Sequence, residues 1–208
     1  ACPFSAFANY RLQAREIPEV TNLLSAADRG QLVHECMQVI WQQIGDQTKL
    51  LSYDDSSLAD LVSQAVEQCL SRFGASRPIS LYPSYREIEQ QRLTELCIKT
   101  LLLEKQRDHF VVVADEEPRQ INLDGISLWI QVDRIDQLDD GSFCVIDYKT
   151  GIANPNSWFG DRPDDLQLPI YALTDERHVQ ALMFTEIRPG NIKFSGIAVN
   201  PNLYASIK

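Results

Sequence analysis

Residues 129–151, WIQVDRIDQLDDGSFCVIDYKTG, read as a β-hairpin. Two runs rich in Val, Ile, Phe and Trp flank Asp139-Asp140-Gly141, and a glycine in the third position suits the left-handed residue of a three-residue loop with a G1 bulge. With that loop Leu138 faces Ser142, and counting outward puts Asp133 directly across from Asp147. Side chains alternate along a strand, so Lys149 shares the face of Asp147 while Tyr148 points the other way. Two carboxylates and an ammonium therefore converge on one patch of sheet. Directly opposed like charges are unfavourable there. A bound cation is what would make the pair tolerable.

Outward from the hairpin, the upstream half of the chain reads as helical. A short helix over 3–12 carries the aromatic anchors Phe4, Phe7 and Tyr10. A second, over about 27–44, has Val33, Cys36, Met37, Ile40, Trp41 and Ile44 on one apolar stripe. At about 100° per residue, His34 lies roughly 20° from the direction of Trp41, at the edge of that stripe. A third helix over 57–73 is apolar on one face and takes Ser57-x-x-Asp60 as its start signal. A fourth runs over about 84–106 with a charged outer face, read as solvated.

Extended pattern begins at 109–114, followed by the acidic Asp115-Glu116-Glu117, and a further short strand is expected at 121–123. Residues 151–163 are rich in Gly, Pro and Asn and read as loop. Residues 164–173 look like a helix start, where Gln167 and Tyr171 share a face and Pro169 is tolerated only near the first turn. Two last strands, 179–187 and 193–199, join at Arg188-Pro189-Gly190-Asn191. The fold class expected is α/β (α+β), a mixed central sheet with flanking helices: residues 1–107 mainly helical and carrying His34, residues 108–208 the sheet core. The chain of 208 residues reads as one domain with a sizeable core.

Net charge is −10, which argues against a binder that grips nucleic acid through a broad basic surface. The acid is concentrated: residues 108–147 hold ten Asp and Glu against two Arg. That window coincides with the hairpin. Five cysteines are spread singly, without C-x-x-C, and read as reduced thiols of a cytoplasmic protein. No run of about 18 apolar residues or leader-like start is present, so no membrane partner is expected. A chain opening on Ala1 and stopping at Lys208 reads as a fragment of a longer one.

An Asp, about a dozen residues, then Asp-x-Lys on the next strand resembles the PD-(D/E)XK nuclease superfamily. VDRID followed by VIDYKTG resembles its RecB/AddB-type branch more narrowly. Asp-x-Lys alone is a weak motif, and its force comes from four ordered elements: His34, Asp133, Asp147-Tyr148-Lys149 and Gln167 with Tyr171. RGQLVHECM is similar to the Arg-Gly-x-x-x-His segment whose histidine ligates the metal in that branch, and QLPIY to its Gln-Leu-x-x-Tyr. Gln131-Val132 departs from the pattern, where Gly or Arg is common.

The resemblance implies a restriction-endonuclease-like core that cleaves DNA ends or single strands as an exonuclease in recombination and repair. It implies Mg²⁺ or Mn²⁺ held by His34, Asp133, Asp147 and the Tyr148 carbonyl, with Lys149, Gln167 and Tyr171 beside the reaction. Either Glu116 or Glu117 fills a further acidic position. Arg134, Trp158 and Arg162 are expected DNA contacts, Trp158 and Phe159 serving either to stack on bases or to cap the core. A helicase-like region or subunit is the expected partner. Cys2-Pro3 resembles one end of an iron–sulfur ligand set whose other cysteines this chain does not carry, so a cluster is not supported. The rival readings are a catalytically silent nuclease fold that clamps DNA ends or mediates assembly, and a metal-dependent hydrolase of small phosphoesters. The latter is made distant by the lack of a Gly-rich phosphate loop.

Overall fold

The computed structural model describes residues 3–14, 24–76, 83–123, 125–161, 163 and 165–199. In chain order these form α1 (Pro3–Ala6) with a π-helical turn (Phe7–Arg11), then α2 (Ala26–Ile44), α3 (Gln47–Ser52), α4 (Asp55–Ser76) and α5 (Pro83–Glu104). The strands β1 (Phe110–Leu123), β2 (Ile126–Leu138) and β3 (Phe143–Lys149) follow. A 3-10 turn (Pro155–Trp158), α6 (Gln167–Thr174), β4 (Val179–Arg188) and β5 (Asn191–Ala198) complete the described part. The strands lie side by side in chain order, antiparallel except for the parallel pair β3–β4. A parallel neighbour cannot be reached by a tight turn, and α6 lies in the crossover. Mixed sheet and flanking helices agree with the expected class.

Local chemistry explains the ends of these elements. Ser25 and Asp28 form a reciprocal capping box at the start of α2, each side chain accepting the other's backbone N–H. Asp54, rather than the expected Ser57-x-x-Asp60 signal, opens α4, its Oδ1 accepting from Ser57 N at 2.8 Å. The hairpin between β2 and β3 has the expected register: Gln137 pairs with Phe143, Arg134 with Ile146, and Leu138 N donates to Ser142 O at 2.9 Å. Gly141 adopts φ +80°, the left-handed conformation required of the third loop residue.

Two expectations need correction. The short strands at 109–114 and 121–123 are one continuous β1, paired to β2 along its length, because Asp115-Glu116-Glu117 form part of the ladder rather than a turn. Its register shifts between Val112 and Ala114, a bulge beside the region where β2 meets β3. The helix α3 was not expected. It is short, capped by Asp46, and held through buried Leu50 and Gln47.

The sheet separates two cores. On one face Cys144, Ile146, Tyr148, Ala181 and Met183 pack with α2, α4 and α5. On the other, Val145, Leu182 and Phe184 meet Trp158 and, from α6, Leu168 and Tyr171. Alternate residues of β3 and β4 thus serve opposite faces. Each large apolar side chain so buried contributes about 1.5–3 kcal/mol. Within the helical core lies an ionic cluster. Arg134 and Arg107 are matched against Glu104 and Asp136 at 2.6–3.0 Å, and Arg134 donates to the Tyr148 hydroxyl at 3.1 Å. Its two cations and two anions balance, and Arg134 also lies over the Trp41 ring, 4.3 Å from its centroid.

Candidate active site

Three separate elements bring the site together. Arg29 at the head of α2 is bound to Glu89 of α5 at 2.6 Å, which fixes the helix against its neighbour. Gly30 follows, and a Cβ there would stand 3.2 Å from Thr150 Oγ1, so α2 passes in close contact with the end of β3 at this position. One turn later His34 reaches the sheet, its Nδ1–H donating to Asp133 Oδ1 at 3.0 Å and its ring meeting that of Tyr148 edge to face at 5.9 Å. Arg29, Gly30 and His34 therefore act as clamp, spacer and probe.

The β2–β3 ladder is paired as far as Arg134–Ile146, and the next positions in that register are Asp133 and Asp147. There a side chain intervenes: Tyr148 N donates to Asp133 Oδ2 at 2.5 Å. Val132 and Ile135, three residues apart, both pack in the smaller core, so simple alternation is broken across Asp133–Arg134. Asp147 is almost fully buried. Burial first, and then the Asp133 charge, push its carboxyl up to about 6, against the opposing pull of Lys149 and His34. Lys149 Nζ lies 2.8 Å from Asp147 Oδ2 and 3.8 Å from Asp165 Oδ2. Burial lowers the Lys149 pKa, but the Asp147 charge and contact outweigh it and leave the amine above its ordinary value.

Beside these groups opens a cleft of about 550 Å³ lined by Gly30, Gln31, His34, Gln131, Asp133 and Gln167, among others. Gln167, at the start of α6, closes one side by donating from Nε2 to the Gln131 carbonyl. Among the described residues no three of His, Cys, Asp and Glu converge closely enough to grip a metal ion as they stand. The donor set is nonetheless that of a hard divalent cation: two carboxylates with an imidazole beside them. Asp147 is buried, and its Oδ2 is paired with the single Lys149 ammonium, which also faces the Asp133 charge. Two carboxylates against one ammonium leave an excess of negative charge that fits a cation.

Compared with known proteins, residues 1–195 match the model of the PD-(D/E)XK nuclease superfamily. The chain belongs to that superfamily. Among solved structures, one titled "Crystal structure of SSO0001" is similar at 16% identity and a TM-score of 0.31, covering 93% of this chain and 74% of that one. No curated protein matches. For this superfamily member the family match, not the structural likeness, carries the assignment as a nuclease.

The nuclease fold sorts the expected residues into three groups. His34, Asp133, Asp147, Lys149 and Gln167 meet at or beside the cleft. Three others do not reach it. Arg134 is wholly buried in the ionic cluster, because the break in alternation at Asp133–Arg134 turns it into the helical core rather than to the Val132 side, and it cannot contact DNA. Trp158 is packed on Phe184 with ring centroids 4.6 Å apart, a core cap rather than a stacking surface, while its neighbour Phe159 is exposed. Tyr171 is fully buried and its hydroxyl accepts from Arg177 at 2.7 Å, so α6 delivers Gln167 to the cleft and Tyr171 to the core. The side chains of Glu116 and Glu117, with Arg162 and Cys2, lie outside the described residues. The β1–β2 register does put the Glu116 backbone across from Asp133, between the pairs Asp115–Arg134 and Glu117–Val132. Sequence reasoning missed Asp165, which neighbours Lys149, and Gln131, whose place in the cleft its spacing of two from Asp133 signalled.

Proposed function

We propose that this nuclease is a divalent-cation-dependent deoxyribonuclease acting on DNA ends or single strands. The observation that carries the reading is the meeting of Asp133, Asp147 and Lys149 where β2 and β3 part, with His34 delivered from α2. His34, Asp133, Asp147 and the Tyr148 carbonyl would hold Mg²⁺ or Mn²⁺, ions that are satisfied by few protein ligands and keep several waters. When bound, such an ion acidifies water and stabilises charge on a phosphate. Lys149, held between Asp147 and Asp165, donates hydrogen bonds to the attacking water and to the non-bridging oxygen that gains charge. Below about pH 6 Asp147 takes up a proton, which a cation would have to displace. Gln167 borders the path of the DNA backbone through the cleft.

Exonuclease mode, a role in recombination and repair, and attachment to a helicase-like region of a longer chain belong to the same proposal. The scarcity of basic surface supports it, since a nuclease with net charge −10 gains from a partner that supplies the grip. The alternative, a silent nuclease fold, has one observation in its favour: both Asp133 oxygens are engaged within the protein. Incubating single-stranded and duplex DNA with Mn²⁺ distinguishes the two. The nuclease reading requires degradation that Lys149→Ala slows by about 10²–10³-fold. Intact DNA with both proteins, and no calorimetric Mn²⁺ uptake dependent on Asp133 and Asp147, would leave the silent module.

A further inference from the structure

We propose that Trp129, on the β1–β2 ribbon beside the cleft, is a stacking platform for a base of an unpaired DNA strand entering the site. The proposal rests on the nuclease reading above and names the substrate form it takes. Trp129 is 70% exposed, although it sits in the middle of a paired strand. Its backbone is fixed on one side only. β2 pairs with β1 from Ile126 onward, but with β3 only over Arg134–Gln137. The segment before Asp133 therefore stands beyond the five-stranded sheet as a two-stranded ribbon.

Direction follows from alternation. Ile130 and Val132 turn toward the smaller core, while Trp129 and Gln131 are exposed. Gln131 and Asp133 both line the cleft. Trp129, Gln131 and Asp133 are thus one row of side chains. At about 3.3 Å per residue the indole stands roughly 13 Å along the strand from Asp133. That is about four base steps of a stacked strand, and fewer of a stretched one.

Charge selects the occupant. Duplex DNA brings two phosphates for every 3.4 Å step and a single strand one. A protein of net charge −10, with its acids concentrated in 108–147, repels the duplex more. Several cleft residues are neutral amides, Gln31, Gln38, Gln131 and Gln167 among them, so ionic grip is weak there. Stacking on an aromatic face is independent of charge and of base identity. Of the three tryptophans, Trp41 and Trp158 are buried, which leaves Trp129 as the one a base can reach.

The same burial makes the test clean. Quenching of intrinsic emission by acrylamide reads Trp129 above the two buried indoles. In EDTA, a saturating single-stranded oligonucleotide should shield that emission, and a blunt duplex should do so far less. With Mn²⁺, Trp129→Ala should raise KM for single-stranded oligonucleotides about 5- to 150-fold, the worth of one stacked base. Its kcat should change little, and Trp129→Phe should restore most of the affinity. A parent that cleaves DNA with KM unaltered in Trp129→Ala overturns the stacking role and leaves the nuclease reading intact; the indole then serves another surface. A parent that binds single strands and shields Trp129 without cleaving upholds the stacking role and overturns the nuclease reading. A parent that neither binds nor cleaves overturns both.

Discussion

Asp133 and Arg134 are neighbours in sequence, yet they belong to two charged clusters that solve opposite problems. Arg134 lies in a balanced set: with Arg107 it meets Glu104 and Asp136, all four essentially out of solvent. Burial alone would raise the Glu104 carboxyl, but Arg134 and Arg107 more than reverse that and hold it below its usual range. Asp133 lies in an unbalanced set, where Asp147 and Asp133 face one Lys149 and the buried carboxyl rises to about 6 instead. A cluster that neutralises itself is scaffold. One that leaves charge over is poised to receive a cation from outside. The Tyr148 side chain, between Asp147 and Lys149 in sequence but bonded to Arg134, joins the two.

If that contrast is right, removing Arg134 should be the most damaging single change to the fold. Arg134→Ala leaves Glu104 and Asp136 buried without enough positive charge, and should cost about 3–5 kcal/mol of stability in urea unfolding. A loss under 1 kcal/mol would mean that the cluster is not the scaffold described. Lys149→Ala should do the reverse, lowering DNA cleavage by about 10²–10³-fold, as removal of one charge-stabilising donor does. Its fold should remain near the parent's by circular dichroism and melting. Unfolding of Lys149→Ala, or activity equal to the parent's, would erase the distinction between the clusters.

A subtler test uses pH. The folded-state pKa of Asp147, about 6, lies above the ordinary carboxylate value near 3.9. Between those values the native state holds a proton that the unfolded chain has released, so the metal-free fold gains stability as pH falls and loses it as pH rises through the window. Asp147→Asn, which cannot ionise, should therefore match the parent near pH 4 and exceed it by about 1–3 kcal/mol at pH 7.5 in EDTA. A gap that closes as pH rises would contradict the assignment. In the parent, Mn²⁺ must displace that proton, so affinity measured by calorimetry should weaken below about pH 6 with proton uptake by the buffer. The smallest effect is expected from Tyr171→Phe: loss of the Arg177 hydrogen bond costs about 1 kcal/mol, and the cleavage rate stays at the parent's. A large drop in rate with stability preserved would return Tyr171 to the site.

Short-range rules reached far into this protein. Alternation and the glycine-closed loop were enough to set the β2–β3 register, because both are dictated within some ten residues of chain. The apolar stripe of α2 located His34 at its edge for the same reason. What such rules cannot see is which side of a strand faces a helix and which faces solvent. Arg134, Trp158 and Tyr171 carry the right chemistry for a DNA contact and lie in the right segments, but the packing of two cores takes all three inside.

Sequence by itself determined the hairpin register up to Arg134–Ile146 and the lysine that shares a face with Asp147, since a period of two and one left-handed glycine set both locally. Tertiary structure alone decided that α2 would hand a histidine to an aspartate 99 positions away, that one arginine would be enclosed by acids, and that the tryptophan left in water would be Trp129. The reason is physical: backbone geometry is set by neighbours along the chain, whereas burial is settled between surfaces that meet only once the chain has folded.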